Sequence, residues 1–200
     1  MSRDDIDALT AALARPPRPT SDFDLNPDTV LPPDRRLRPA GVLVPLIERE
    51  GQTRVILTMR SSRLKHHPGQ IAFPGGKQDE GDVDVTAAAL REAHEEIGLS
   101  PGNVRVLGHL SKHETVTGFD VTPVVGRVLR PFIPVPEAGE VAEVFEVPLD
   151  HLLTLGRYRI EGRRWRGTRR LYYTVPYGPY YIWGATARML RALADVAAAR

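Results

Sequence analysis

Residues 84–98, DVTAAALREAHEEIG, constrain this chain more than any other stretch. Asp84 can cap a helix start with its side-chain oxygen, Asp82 is a second candidate for that role, and Gly98 can end a helix in the left-handed region. At about 100° per residue, Leu90, Ala93 and Ile97 fall on one side while Glu92, Glu95 and Glu96 fall on the other. The spacing predicts an amphipathic helix from about Asp84 to Ile97. Its polar side is slightly wrong for a helix alone. Glu92 repels Glu95 and Glu96 at about 0.2–0.5 kcal/mol per pair, and the last two also oppose the negative end of the helix dipole. A divalent cation removes both penalties, and a set of oxygen donors selects Mg2+ or Mn2+ over softer metals. Periodicity alone favours an ordinary solvated face. Arg91 reads either as a surface residue or as one that locks a carboxylate rotamer through a bidentate pair.

What surrounds the helix sets the fold class. The first fifteen residues suit a short amphipathic helix, with Ile6, Leu9 and Leu13 at helical spacing. A proline-studded stretch (Pro16, Pro17, Pro19, Pro27, Pro32, Pro33) follows and reads as an irregular arm. GVLVPLI and TRVILTM predict two strands joined by a hairpin at Arg49 to Gln52. Residues 61–83 form a long connection with one short apolar stretch, IAF, and a loop of that length is usually functional. VRVLGHL and FDVTPVVGRVL read as strands, Leu149 to Leu155 as a short helix, and Trp183 to Ala199 as a closing helix with Trp183 in the core. Strands and helices mix without βαβ alternation, so the expectation is an α+β sandwich.

Composition excludes other classes. No cysteine is present, so thiolate metal sites and disulfide scaffolds are ruled out. The start is acidic and no apolar run approaches the roughly 20 residues of a membrane span, which predicts a soluble, cytoplasmic protein. Net charge is only +2, but residues 157–170 hold seven Arg against one Glu, a local +6 that leaves −4 for the rest. The plain reading of that segment is a solvated basic hairpin around Glu161-Gly162 and Gly167; a polyanion partner is the other.

The run GGKQDEGDVDVTAAALREAHEEIGL, residues 75–99, resembles the Nudix box, G-x5-E-x7-R-E-U-x-E-E-x-G-U with U apolar. Arg91, Glu92, Ala93, Glu95, Glu96, Gly98 and Leu99 match its second half. The first half departs: Gly76 lies fifteen residues before Arg91 instead of fourteen, and Asp82 stands six after Gly76, where a glutamate is expected. The preceding LTMRSSRLKHHPGQIAFPGG is similar to the motif of coenzyme A pyrophosphatases, as are TGFDVTPVVG, EVAEVFEVPL and YIWGATARML further on.

This resemblance implies a Nudix-type α/β/α sandwich with a mixed central β-sheet, over residues 39–200, with residues 1–38 as a helix and proline-rich arm packed on it. It implies a pyrophosphohydrolase using Mg2+ or Mn2+ bound by Glu92, Glu95, Glu96 and Glu140, with Glu95, Glu92 and Arg91 as the catalytic group. Glu95 ranks first as general base. Arg60, Ser61, His67, Gln70, Gly75 and Gly76 are the implied substrate-binding residues, Arg60 meeting phosphate through its planar fork. Glu143 is an alternative late carboxylate, and Glu146 reads as structural. The expected partner is a small molecule, coenzyme A or a related nucleoside diphosphate derivative, with neither nucleic acid nor membrane, and a homodimer is a compatible assembly. Two rival readings are a Nudix enzyme for another substrate (ADP-ribose, a dinucleotide or an RNA cap) and a non-catalytic nucleotide sensor.

Overall fold

The computed structural model of the chain describes residues 3–15, 18–32, 34–165 and 167–199. It opens with helix α1 (Arg3–Leu13) and strands β1 (Thr20–Ser21), β2 (Arg38–Arg49), β3 (Gln52–Arg60), β4 (Ile71–Ala72) and β5 (Gly75–Lys77). Helix α2 (Val85–Ile97) follows, then β6 (Val104–His109), β7 (His113–Glu114), β8 (Phe119–Val128) and β9 (Val141–Pro148). Helix α3 (Leu149–Leu153), β10 (Arg159–Trp165), β11 (Thr168–Thr174) and α4 (Gly184–Ala198) complete it.

The β2–β3 hairpin turns at Glu50 and Gly51, both at positive φ (50° and 75°), a geometry that matches the right-handed twist of the strands. β2 sits at the centre of a mixed sheet: antiparallel to β3 and β5, and parallel to β8 over Arg38–Leu46 against Phe119–Arg127. β9 extends the far side of β3. Because β2 is covered on both faces, its middle reads as a near-continuous apolar run. Leu43, Ile47, Ile56 and Val124 point to one side and pack with Ala89, Ala93 and Ile97 of α2. Val44, Leu46, Val55, Leu57 and Val125 point to the other and pack with Leu9 and Leu13 of α1, Leu149 and Leu152 of α3, and Leu190 and Leu193 of α4. The result is an α/β/α sandwich, as expected. Each of the Leu, Ile and Val side chains among these contributes roughly 1.5–3 kcal/mol through burial.

Three expectations need correction. The proline-rich arm is not wholly irregular, since Thr20 and Ser21 pair in parallel with His113 and Glu114. The connection 61–83 contains two short strands, β4 on β3 and β5 on β2. The basic hairpin exists as β10–β11, but Glu161 and Gly162 lie within β10 and the reversal comes at Gly167 (φ 83°). Pro16, Pro17 and Pro33 lie outside the described residues. Among the described residues no helix is long and apolar enough to cross a membrane.

The arm is fastened at several points. His113, fully buried, shares hydrogen bonds with the Thr20 hydroxyl (2.9 Å) and the Asp22 carboxylate (3.2 Å). The Asn26 side chain both donates to the carbonyl of Leu171 (2.9 Å) and accepts from its N–H (2.8 Å). Asp24 accepts from Arg188 at 2.8 Å.

Candidate active site

Helix α2 begins as its sequence predicts. Asp84 caps it, its carboxylate accepting from the Ala87 N–H at 2.8 Å, and Gly98 ends it at φ 72°. The helix lies close over the sheet because β2 carries Gly41 beneath its first turn; any Cβ there would collide with the Val85 carbonyl. This approach carries Glu92 and Glu96 onto β5. The Gly75 N–H donates to Glu96 Oε2 at 3.1 Å, and the Glu92 carboxylate rests against Gly76, where an added Cβ would stand 2.5 Å from Glu92 Cδ. Helical geometry alone put Glu96 on the solvated face; the structure instead buries it to 5% exposure, since β5 and the segment after β8 close over the helix end. The Glu137 N–H, on that segment, donates to the Glu96 carbonyl.

Burial dominates the electrostatics here. It pushes the Glu96 carboxyl up to about 7, with the Gly75 N–H opposing, Glu92 adding, Arg60 opposing and Glu140 adding smaller effects. Glu92 is also raised by burial, against the lowering effect of Arg91 and with help from Glu95 and Glu140. Glu92, Glu96, Glu140 and Arg60 therefore share one electrostatic neighbourhood. Glu95 is exposed and held elsewhere, its carboxylate accepting from Arg91 at 2.9 Å.

Arg91 organises the rim. Its guanidinium forms a fork with both oxygens of Asp82 (3.0 and 2.9 Å), donates to Glu92 Oε1 at 3.1 Å and to Glu95, and reaches the Lys77 carbonyl at 3.3 Å. Arg91 thus acts through the carboxylates it holds, as a positioning residue. The pattern leaves Asp82 without a firm role, since it is one methylene shorter than the expected glutamate and stands nine residues before Arg91 instead of eight, yet its side chain reaches Arg91. The signal available was the acidic residue itself at the end of a lengthened loop. Arg91 holds Glu95 at the rim, and no three acidic or imidazole side chains among the described residues converge on one ion-sized position.

The loop 61–70 is closed at its neck by the Arg60 N–H donating to the Gln70 carbonyl (2.9 Å) and the Gly69 N–H donating to that of Arg60 (3.0 Å). Arg60 Nε is buried and meets no hydrogen-bond acceptor among the described residues. His67 sits in the loop at φ 55°, its imidazole lowered by burial and by Arg60, with a hydrogen bond to Gln70 opposing. Ser61 is buried and its hydroxyl accepts from the Arg63 N–H, so it shapes the turn. The backbone of Glu140 joins the loop through the Ser61 N–H at 2.7 Å. Glu143, the alternative carboxylate, accepts from the Tyr180 hydroxyl at 2.5 Å, and Glu146 pairs with Arg49 at 3.0 Å, a structural use.

The residues fit a hard divalent cation. Glu96 and Glu92 are carboxylates raised by burial, Glu92 adding to the rise at Glu96 and Glu95 and Glu140 to that at Glu92, a crowding of negative charge that an oxygen-seeking ion relieves. The site is thus an acidic helix braced by an arginine and laid on a Gly-Gly strand. The model of the NUDIX domain matches residues 37–167. The uncharacterized Nudix hydrolase NudL of Enterobacter sp. (strain 638) is 45% identical over 157 residues, covering 78% of this chain and 81% of the relative. NudL of Escherichia coli (strain SMS-3-5 / SECEC) is 45% identical over 158 residues, with the same coverage of 78% and 81%. This chain belongs to the Nudix hydrolase family. Among solved structures, a C. elegans Ap4A hydrolase binary complex is similar with TM-score 0.49 and 21% identity, over 57% of this chain and 82% of that one. The NUDIX domain of Shewanella oneidensis NrtR, complexed with ADP ribose, has TM-score 0.47 and 21% identity, over 62% and 81%.

Proposed function

We propose that this Nudix pyrophosphohydrolase cleaves the pyrophosphate linkage of coenzyme A and its acyl derivatives, giving 4′-phosphopantetheine and adenosine 3′,5′-bisphosphate. One observation carries the reading. Arg60, with a buried Nε that lacks an acceptor, is close enough to Glu96 to act on its carboxyl, and burial raises the carboxyls of both Glu96 and Glu92. A metal-bound pyrophosphate supplies an acceptor to the arginine and positive charge to the carboxylates at once. The substrate follows from the stretch 57–76, whose resemblance to coenzyme A pyrophosphatases includes Arg60 and the closed loop behind it.

In this reading Glu92 and Glu96 hold Mg2+ or Mn2+, with Glu95 and Glu140 at the margin. The ion supplies charge neutralisation and a water acidic enough to lose its proton near neutrality. Arg91 fixes one oxygen of Glu92 and one of Glu95, so that neither carboxylate swings. Glu95, the helix carboxylate open to solvent, takes the proton from the attacking water. Gly75 and Gly76 let backbone approach the phosphates without a Cβ in the way, while Arg60, His67 and Gln70 bind the substrate from the loop. Arg60 meets the charge that develops on the leaving phosphate.

The test is to incubate the protein with Mg2+ or Mn2+ and, separately, coenzyme A, ADP-ribose, diadenosine polyphosphates and NADH, then resolve the products. Coenzyme A cleavage is expected, and its abolition in Glu95→Gln and in Glu96→Gln. Full turnover in both variants would sink the site assignment. Preference for ADP-ribose would leave the family standing and refute the substrate.

A further inference from the structure

The segment between β8 and β9 closes over the end of α2 through a short series of specific bonds. A helix leaves its last carbonyls without intrahelical donors. In α2 the Ile97 carbonyl accepts from the Val135 N–H at 3.0 Å and the Glu96 carbonyl from the Glu137 N–H at 2.9 Å. Pro134 and Pro136 alternate with these two donors and hold the stretch at nearly fixed φ.

At Glu137 the chain turns back on itself. The Glu137 carbonyl accepts from the N–H groups of Glu140 (3.1 Å) and Val141 (2.8 Å), and its carboxylate also accepts from the Glu140 N–H, at 2.8 Å. That carboxylate lies over Gly139, where an added Cβ would come within 2.9 Å of it. On its other side Glu140 is held by the neck of the loop 61–70, its carbonyl accepting from the Ser61 N–H at 2.7 Å. Both peptide groups flanking the Glu140 Cα are therefore fixed. The direction of the Cα–Cβ bond is fixed with them, and only the side-chain torsions of Glu140 remain free.

The two glutamates of this turn are used differently. Glu137 keeps its carboxylate on its own backbone. Glu140 is exposed, and among the described residues its carboxylate has neither a hydrogen-bond donor nor an ion-pair partner. Its charge nonetheless reaches the carboxyls of Glu92 and Glu96, adding to the rise of both. The three carboxylates stand apart, short of one ion-sized position, so what brings the third to a cation is rotation of a side chain from a fixed Cα.

We infer that Glu137 is a positioning residue of the metal site: its carboxylate fixes the backbone at Glu140, so that the Glu140 carboxylate can join Glu92 and Glu96 around a divalent cation. This rests on the reading in which Glu92 and Glu96 hold that cation. The role requires an acceptor and not a charge; glutamine at position 137 supplies one and alanine does not. The N–H and carbonyl of residue 137 keep their bonds in either variant, so the fold retains its backbone ties there.

Titration of the full chain with Mn2+, the free ion being read by its paramagnetic resonance signal, tests this without turnover. Glu140→Gln is expected to weaken binding roughly tenfold, and Glu137→Ala by the same factor, the lower end of the effect of a residue that orients a metal ligand. Glu137→Gln should bind as the parent does. The double variant Glu137→Ala/Glu140→Gln should bind no more weakly than Glu140→Gln alone, because the two residues act through one carboxylate. Should Glu137→Ala fail to fold in a melting scan, Glu137→Met, which has no comparable acceptor, takes its place. Parental binding in Glu137→Ala, a loss in Glu137→Gln equal to that in Glu137→Ala, or losses that multiply in the double variant would each overturn the inference. Parental binding in Glu140→Gln would overturn it as well, while weakened binding in Glu96→Gln would keep the cation at the main site; only a Glu96→Gln variant that binds like the parent counts against that site itself.

Discussion

Two adjacent glycines should fail in different ways when each gains one methyl group. At Gly76 the new Cβ would lie 2.5 Å from Glu92 Cδ, and ordinary contact begins at 3.4 Å, so the carboxylate must retreat by about 1 Å. It is the far end of a half-buried side chain and can do so, straining its contact with Arg91, without moving the sheet. A shift of that order at a reacting group costs roughly a hundredfold in rate, or about 2.7 kcal/mol of barrier. At Gly75 the Cβ would lie 2.5 Å from the Gly41 carbonyl oxygen and from Val42 Cα, which is backbone fixed by β2–β5 pairing, and φ is 152°, a value that L side chains rarely adopt. About 1–3 kcal/mol of backbone strain and a similar amount of overpacking then fall on the fold. For a chain of this size that lowers Tm by about 5–20 °C. Thermal unfolding and kcat/KM, measured on the substrate found in the panel, separate the cases: Gly76→Ala keeps its Tm and loses activity, whereas Gly75→Ala loses Tm. Parental kcat/KM in Gly76→Ala, or parental Tm in Gly75→Ala, would refute the reasoning.

Two further outcomes follow from named contacts. Asn26→Ala removes both hydrogen bonds to the Leu171 backbone, so it should destabilise by about 1–3 kcal/mol and expose residues 18–32 to limited proteolysis below the melting range; an unchanged cleavage rate would argue against the arm being fastened there. The Arg91 guanidinium, with the Asp79 N–H, holds the Asp82 carboxyl below the usual carboxylate range, so its contribution is present above a pH of about 4 and is lost as pH falls through the lowered value. Asp82→Asn should therefore melt below the parent at pH 7, with the gap closing in acid. A gap that persists unchanged at low pH would count against the pair.

Local signals in the chain were legible where one element carries its own instructions. Helix α2 has an oxygen cap at Asp84, an apolar stripe and a terminal Gly98, and all three act as read. The β2–β3 turn announced itself through Glu50-Gly51. Elements that exist through distant partners were not legible. Gly75, Gly76 and Lys77 have little strand propensity, and they form β5 because Ala40 to Val42 offers a backbone edge. β9 was readable only as a stretch of family likeness, since its strand character depends on lying beside β3. Thr20-Ser21 became a strand through His113-Glu114, some ninety positions away. At the site, the sequence singled out Glu92, Glu95 and Glu96 together, but periodicity has no means of telling that Glu96 is roofed over while Glu95 is turned aside by Arg91. The Asp82 fork depends on the path of a loop whose length departs from the family pattern, and pattern matching is least informative there.

The way the arm is fastened has a consequence for the order of events during synthesis. Residues 3–26 find partners in β6 and at His113 but also in α4, at Leu171 and at Arg188, so during synthesis this segment must wait for residues made 145 to 164 positions later. The central sheet and α2 can assemble meanwhile, but the face that α1 and α4 share stays bare, with Leu9 and Leu13 uncovered. The nascent chain therefore passes through a stage in which the half that carries the candidate site is built and its opposite flank is open to water and to other chains.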